Sequence, residues 1–334
     1  MTIDVRLYEE SDRAGFAHVR SHTYRGGQPI AEDDRLLYDD CKGVVATIDG
    51  QIAAAATVLD MNTFARGHLI RTGGVAGVGV LPEFRSKGVG KALMRGLDEI
   101  LVQLGYEMAS LYPFHEKFYR TVGYGTCGSF LTIEQPSASL HKFRPEVEAR
   151  SIPSSDWKKI VPCYESFAKR FNGMNIRNDM QWWRHLGGDT PFMIYVVGDP
   201  VECYALIRLE GDFWVPQNVR ELAWTSRRGY ESMMEFLRGL CVNKTSLVWN
   251  EPIDGPFMCR FADRDSKLQL KPMIMFKLLS KQLISEHGLQ GVPPEVAPQL
   301  FMGDPSWNAH KREGSVKGEN DALPPATVYC LDRY

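Results

Sequence analysis

No stretch of this 334-residue sequence approaches 18 consecutive apolar residues, so it offers no candidate for a membrane-crossing helix. Its first residues, Met1 to Leu7, alternate polar with apolar and carry Asp4 and Arg6, unlike a secretory signal. Charge of one sign is also missing. Thirty-nine Lys and Arg stand against 41 Asp and Glu, a net charge of −2 that supplies no overall basic field for nucleic acid or an anionic membrane. Neither kind of partner is expected. The seven cysteines, at 41, 127, 163, 203, 241, 259 and 330, include no C-x-x-C pair, and an odd number cannot all pair within one chain. Reduced thiols in a cytoplasmic protein are the expectation. Eight scattered histidines show no zinc-site spacing, so no metal is expected. What is present, 44% hydrophobic and 24% charged residues, suits a folded chain long enough for two domains.

Residues 3–7 read as a strand, and a helix follows from the Glu9–Asp12 cap region to about Ser21. Gly43–Asp49 and Gln51–Val58 alternate on either side of Asp49-Gly50, a hairpin signal. His68–Val80 is a long β segment rich in glycine and valine. A helix runs from about Lys87 to Leu104 with Val89, Leu93, Leu97, Ile100, Leu101 and Leu104 on one face. Met108–Tyr112, His115–Thr121 and Ser129–Glu134 complete the first set as strand, helix and strand. The pattern resumes after a linker-like Gln135–Glu146. Helices are expected near Ser155–Phe171, Asp179–His185 and Tyr230–Val242, with strands near Phe192–Val197, Cys203–Leu209, Val219–Thr225, Ser246–Trp249 and Met273–Leu278. From about Gly288 periodicity fades. The expected class is α/β (α+β), with one mixed-sheet domain over 1–135, a second of like order over 145–285, and a short C-terminal region over 286–334.

Val78-Gly-Val-Leu-Pro-Glu-Phe-Arg-Ser-Lys-Gly-Val-Gly-Lys91 is the most informative stretch. A strand enters a turn whose R-x-x-G-x-G spacing opens an amphipathic helix. A pyrophosphate needs several converging N–H groups, and a helix start supplies them along with a favourable dipole. Gly88 and Gly90 remove β-carbons from that approach, while Arg85 and Lys87 add charge. Gly77 and Gly79 beside Val78 suit a bulged strand whose free backbone groups can bond a ligand. The plain alternative is a strand–turn–helix with glycines for packing.

V-x-V-x-P-x-x-R-x-x-G-x-G after the fourth strand of such an order resembles the coenzyme A motif of the GNAT superfamily of N-acetyltransferases. The resemblance implies that pantetheine pairs with the backbone of Val78, Gly79 and Val80. It places the pyrophosphate on Ser86, Lys87, Gly88, Val89, Gly90 and Lys91 beside Arg85, and Phe114 and His115 at the thioester. A narrower likeness lies in Ser110–Gly125, whose F-Y-x-x-x-G-Y-G ending resembles the enhanced intracellular survival protein family of multi-acetylating aminoglycoside N-acetyltransferases. That family joins two GNAT-like domains, the second unable to bind coenzyme A, to a sterol-carrier-like domain, and forms homo-oligomers. By this resemblance Tyr119 is the general acid that protonates the departing thiolate, a role open to a phenol that is protonated at neutral pH. Tyr112 and Tyr124 are alternatives, and His115 is a candidate base. The resemblance also brings the α-carboxylate of Tyr334 into the active site as the catalytic base.

The chain departs from that pattern in places. Only about 60 residues follow Met273, shorter than the family's third domain, although Pro298–Gly303 resembles one of its late helices. Arg333 stands where the family carries a carboxylate, and Ser21–Gly26 lacks an acidic residue. Thr225–Glu231, the second domain's counterpart of the phosphate loop, lacks the paired glycines. The expected activity is acetyl transfer from acetyl-CoA to the primary amine of a small molecule, an aminoglycoside or another amino sugar or amine, with antibiotic resistance as its setting. Protein lysine as acceptor, a longer acyl-CoA, and a non-catalytic CoA-binding sensor are the alternatives. The acidic run at Glu9, Glu10, Asp33, Asp34, Asp39 and Asp40 reads as a solvated face or as an attractor for a cationic acceptor.

Overall fold

Strand β1 (Ile3–Leu7) leads into α1 (Arg13–Tyr24) and then a hairpin of β2 (Cys41–Ile48) and β3 (Gln51–Ala65). The Asp49-Gly50 turn has φ of 50° and 81°, the two left-handed residues that a tight hairpin requires. This computed structural model describes residues 2–209, 211–318, 320 and 322–332. The chain divides into two compact units. One holds the residues up to Cys127 and Ile274–Pro325; the other holds Gly128–Met273 and Ala326–Asp332.

In the first unit, β4 (His68–Val80), α2 (Val89–Gln103), β5 (Met108–Leu111) and α3 (Glu116–Arg120) follow, and the chain leaves through β6 (Gly125–Pro136). Its sheet runs β1-β2-β3-β4-β5 and is closed by the end of β13 (Lys267–Leu278), where Met275–Leu278 pair antiparallel with Leu111–Met108. All joins are antiparallel except β4 with β5, so the sheet is mixed. Helix α2 buries Val89, Leu93, Met94, Leu97, Ile100 and Leu101, which share the apolar stripe legible at 3–4 spacing. Their burial contributes on the order of 10 kcal/mol. Lys277 is a partly buried cation in this unit, and it donates to Asp98 and to the carbonyl of Val122.

The second unit contains β7 (Ala149–Ile152), α4 (Val161–Ala168), β8 (Asn175–Ile176), α5 (Asp179–His185), β9 (Met193–Val197), β10 (Cys203–Ile207), β11 (Gln217–Trp224), α6 (Arg227–Leu240) and β12 (Ser246–Pro252). Its sheet order is β7-β9-β10-β11-β12-β6, and β11 with β12 is the parallel join. Apart from the inserted β8 and α5, this repeats the first unit: an opening strand, a helix, an antiparallel pair, a further strand, a helix, a parallel partner. The two units also trade their closing strands in chain order. β6, which follows α3, pairs with β12, whereas β13, which follows β12, pairs with β5.

Local differences from the sequence reading have physical causes. β3 continues to Ala65 because Met61, Phe64 and Ala65 are buried while β4 pairs with it to the end. The helix expected over 155–171 is a 3₁₀ segment, Ser154–Ile160, followed by α4. Pro162 sits in the first turn of α4, where a missing N–H costs nothing. After Gly288, where no period was legible, α8 (Ala297–Met302) and α9 (Trp307–Glu313) follow the short α7 (Lys281–Glu286). Every residue of α8 is buried, so it has no polar face to create a period. Arg66, in the β3–β4 turn, fastens this segment by donating to the carbonyls of Leu300, Phe301 and Pro324.

The segment Ala326–Asp332 is bound inside the second unit. Tyr329 donates its N–H to the carbonyl of Asn172, and Asp332 accepts from Arg177 at 2.5 Å and Asn175 at 2.8 Å. Arg177 also forms a two-pronged contact with Glu221, which accepts from Tyr204 and contacts His185. Burial alone would raise Glu221, but Arg177 and His185 outweigh it and hold the carboxyl well below its ordinary range. Removing one member strands the others. Arg177→Met is expected to cost about 3–5 kcal/mol, read as a lowered Tm, because two buried carboxylates lose their cation. Asp332→Asn, which leaves Glu221 paired, should destabilise less while exposing the Tyr329 amide to hydrogen exchange. A wild-type Tm for Arg177→Met would show that the network is energetically idle.

Candidate acyl-CoA site

β4 pairs with β3 from end to end but with β5 only over Thr72–Gly74. Beyond that point Ala55 faces Gly79 while Thr57 faces Ala76, so β4 carries one extra residue. Gly77 takes a φ of 58° at this bulge, a conformation in which other residues are strained. The ladder between β4 and β5 therefore stops at Gly74, and a cleft of about 910 Å³ opens in the first unit. β4 and the following turn line one side with Val78, Val80, Phe84, Arg85 and Ser86, and α2 adds its N-terminal Gly88, Val89, Gly90 and Lys91. The α3 region supplies Phe114, His115 and Phe118, and α1 supplies Thr23 and Tyr24.

The turn into α2 is built to present N–H groups. Ser86 and Gly88 both have left-handed φ, 59° and 82°, on either side of Lys87. Ser86 holds that conformation at a cost of roughly 1–3 kcal/mol, as residues at binding sites do. A β-carbon at Gly88 would meet nothing within 4 Å, so the glycine is required by its φ, not by crowding. The first N–H groups of α2 have no acceptor within the helix and sit at its positive end. Arg85 is exposed and donates to the carbonyl of Val80 at 3.1 Å; the ammonium of Lys87 lies 5.6 Å from the Phe84 ring.

The residues expected in the site fall into three groups. Val78, Val80, Arg85, Ser86, Gly88, Val89, Gly90, Lys91, Phe114 and His115 line one cleft. Lys87 is exposed on the same turn. Gly79 is not among the lining residues: a β-carbon there would lie 2.6 Å from Thr23 Oγ1, so this glycine lets α1 press on β4. His115 caps α3, its Nδ1 accepting from the Phe118 N–H at 3.3 Å. Phe114 is 74% exposed at the cleft mouth and meets Tyr119 edge-on at 5.6 Å. Tyr119 itself is buried, with Phe118 and Tyr124 at 5.1 and 6.1 Å. Burial, with a contribution from Tyr24, pushes its phenol above the ordinary tyrosine value. Among the described residues its hydroxyl has no hydrogen-bond partner. Tyr334 and Arg333 lie outside the described residues.

Sequence reading missed Tyr24 and Arg20. The Tyr24 hydroxyl donates to the Val78 carbonyl at 2.8 Å, beside the bulge. Arg20 lies one turn earlier and reaches Thr57 of β3. The available signal was spacing, since Phe16, Val19, Arg20, Thr23 and Tyr24 share one face of α1 at intervals of three and four. Arg20, Thr23 and Tyr24 interrupt the apolar stripe set by Phe16 and Val19. The acidic run pairs with its neighbours at the surface, Asp39 with Arg35 and Asp34 with Arg25. Among the described residues that line the cleft none is a carboxylate.

The second unit repeats the frame and closes it. β11 has a bulge at Arg220, and its parallel ladder with β12 covers only Gln217–Asn218. Here the helix start is occupied by the protein itself. The Ser226 side chain caps the Gly229 N–H and donates to Glu202, which also takes a two-pronged contact from Arg228. Hydrogen bonds from Arg228 and Ser226 lower the Glu202 carboxyl to about 2. An internal carboxylate thus stands beside the helix start whose counterpart in the first unit is open. Among the described residues no group of three or more His, Cys, Asp or Glu side chains is placed to hold a metal ion, and no helix is long and apolar enough to cross a membrane.

A strand bulged at glycine, splayed from its neighbour and running into a glycine-opened helix defines an acyltransferase of the GNAT class. Residues 4–127 match the acetyltransferase (GNAT) domain family. An uncharacterised N-acetyltransferase of Archaeoglobus fulgidus is 30% identical over 120 residues, 33% of this chain and 81% of that relative. The chain belongs to the GNAT N-acetyltransferase family. In fold it is similar to Eis1 from Mycobacterium abscessus, with TM-score 0.77 and 18% identity over 100% of both chains. A GCN5-related N-acetyltransferase from Kribbella flavida gives 0.73 and 19%, over 100% of this chain and 99% of the other.

Gly90→Asp tests the loop. The nearest atoms to its β-carbon belong to Phe118 and Val80, at 3.4–3.6 Å, ordinary contact, so the fold should survive. If this turn holds the pyrophosphate, a carboxylate there should weaken acetyl-CoA binding at least about 100-fold by calorimetry. Unchanged affinity in the mutant would remove the loop from the binding site.

Proposed function

We propose that this protein transfers an acetyl group from acetyl-CoA to the primary amine of a small molecule. The observation that carries the reading is the end of the β4–β5 ladder at Gly74 ahead of the Gly77 bulge, with the α2 start on one side of the cleft and Phe114 and Phe118, which flank the buried Tyr119 ring, also in its lining. In this reading the backbone of Val78–Val80 pairs with pantetheine, and Ser86–Lys91 hold the pyrophosphate with Arg85 adding charge. Phe114 and His115 border the thioester.

The acceptor amine forms an N–C bond to the acetyl carbon as the C–S bond breaks, and Tyr119 donates its proton to the departing sulfur. The ammonium must lose a proton as well, and among the described residues no carboxylate lines the cleft to take it. We assign that proton to the α-carboxylate of Tyr334, acting directly or through water. Aminoglycosides are polycations and the cleft lining offers them no carboxylate, so the proposal is framed for small amines as a class.

Incubation with acetyl-CoA, an amine panel and a thiol reagent tests the activity: amine-dependent release of free CoA is expected, and CoA release with no amine dependence would overturn it. Tyr119→Phe should lower kcat by ~10²–10⁴-fold while sparing acetyl-CoA affinity. Near-normal turnover would move the proton donor to Tyr112 or Tyr124. A general acid works while protonated, and burial raises the Tyr119 phenol. The alkaline fall in kcat should therefore lie above the ordinary tyrosine value of about 10 and disappear in Tyr119→Phe.

A further inference from the structure

Arg20 is the cation on α1 that the reaction as described does not use. Its guanidinium donates to two neutral oxygens, Thr57 Oγ1 at 2.5 Å and the Leu36 carbonyl at 3.0 Å, and stands 5.0 Å from the Phe16 ring centroid. Five N–H groups are available to an arginine, so most of its donor capacity is uncommitted. Among the described residues no carboxylate forms an ion pair with it. Burial lowers its pKa, with Cys41 and Tyr24 opposing the shift. A partly buried guanidinium ordinarily has an anionic partner, because desolvation without one is costly.

The position of Arg20 says where that partner would come from. Nη2 lies 3.4 Å from where a β-carbon on Gly77 would be, at the bulge itself. Tyr24, one turn later on the same face of α1, holds the Val78 carbonyl and adds to the electrostatics of both Arg20 and Tyr119. Arg20 thus lies beside the bulge of β4, one turn from Tyr24, which lines the cleft and holds the next carbonyl. A second cation arriving there would meet like charge, and among the described lining residues no carboxylate offsets it; the Tyr334 α-carboxylate assigned above is a single charge.

We propose that Arg20 is a specificity-determining residue that binds a carboxylate on the acceptor, so that the acceptor is an amino-carboxylate of the α-amino acid kind rather than a polycationic amino sugar. The inference rests on the acetyltransferase reading above. The guanidinium fork matches a carboxylate in a planar, two-pronged geometry that lysine does not reproduce.

The test compares L-amino acids with their carboxamides at matched free-amine concentration, plus one aminoglycoside, each with acetyl-CoA. Wild type should favour the carboxylate member by roughly 10- to 100-fold in kcat/KM, the range for a hydrogen bond to a charged group. Arg20→Gln should erase that preference by lowering only the amino-acid rate, and Arg20→Lys should retain part of it. Acetyl-CoA affinity by calorimetry should be unchanged in both. Arg20→Lys, which keeps the charge, guards against loss of fold in the first variant, and thermal melts check both. Equal use of acid and amide by wild type, preference for the aminoglycoside, or equal loss on both substrates in Arg20→Gln would each overturn the proposal. Failure of every amine with acetyl-CoA bound, or failure to bind acetyl-CoA, would instead refute the parent reading and this inference with it.

Discussion

One extra residue in β4 sets the terms for the rest of the catalytic unit. The bulge at Gly77 ends the β4–β5 ladder at Gly74, and a parallel sheet interrupted in this way has backbone groups to offer a ligand. Everything near it is arranged to keep the gap open yet supported. Tyr24 takes up the Val78 carbonyl from one side, and Arg85 takes up that of Val80. Gly79 lets α1 lie close enough for Tyr24 to reach. The end of β13 continues the sheet beyond β5, so the splay does not leave β5 as a free edge.

The second unit shows what the same frame becomes when it is closed. Its strand order, parallel join and bulge follow the first, yet the space at the bulge is next to Glu221, which Arg177, His185 and Tyr204 satisfy. Its helix start is capped by Ser226 and neutralised beside Glu202. Two copies of one topology therefore diverge by where their charges are satisfied: internally in one, toward an open cleft in the other. The closed network also holds Asp332, and through it the chain's final described residues.

Much of the site was legible in sequence because it depends on short-range chemistry. The R-x-x-G-x-G spacing needs left-handed backbone and a helix start within six residues, and Ser86, Gly88 and α2 supply them. The Asp49-Gly50 hairpin and the α2 stripe are equally local. Arg20 and Tyr24 escaped notice because their role depends on which face of α1 meets β4, a contact across more than 50 residues of chain. Which side Gly79 presents to α1 was hidden for the same reason, while its backbone stays in the stretch assigned to the ligand. Its neighbour in sequence lines the cleft, but alternation along a strand turns Gly79 to the opposite side.

By itself the sequence determined the mixed α/β class, the repeated order of elements and the loop that marks a GNAT domain, since propensity, turn residues and hydrophobic period act over a few residues. Tertiary structure alone decided which strand closes each sheet. β6 and β13 each read as the end of the domain that precedes them, while pairing energy is realised with partners far along the chain. It alone ordered α8, a helix buried on all sides, by bringing Arg66 to its C-terminal carbonyls. It also decided charge. Arg20 and Arg177 are alike as letters, but one is buried against two carboxylates and the other faces the bulge of β4 without one, and only folding determines how much water and which counter-charge a guanidinium keeps.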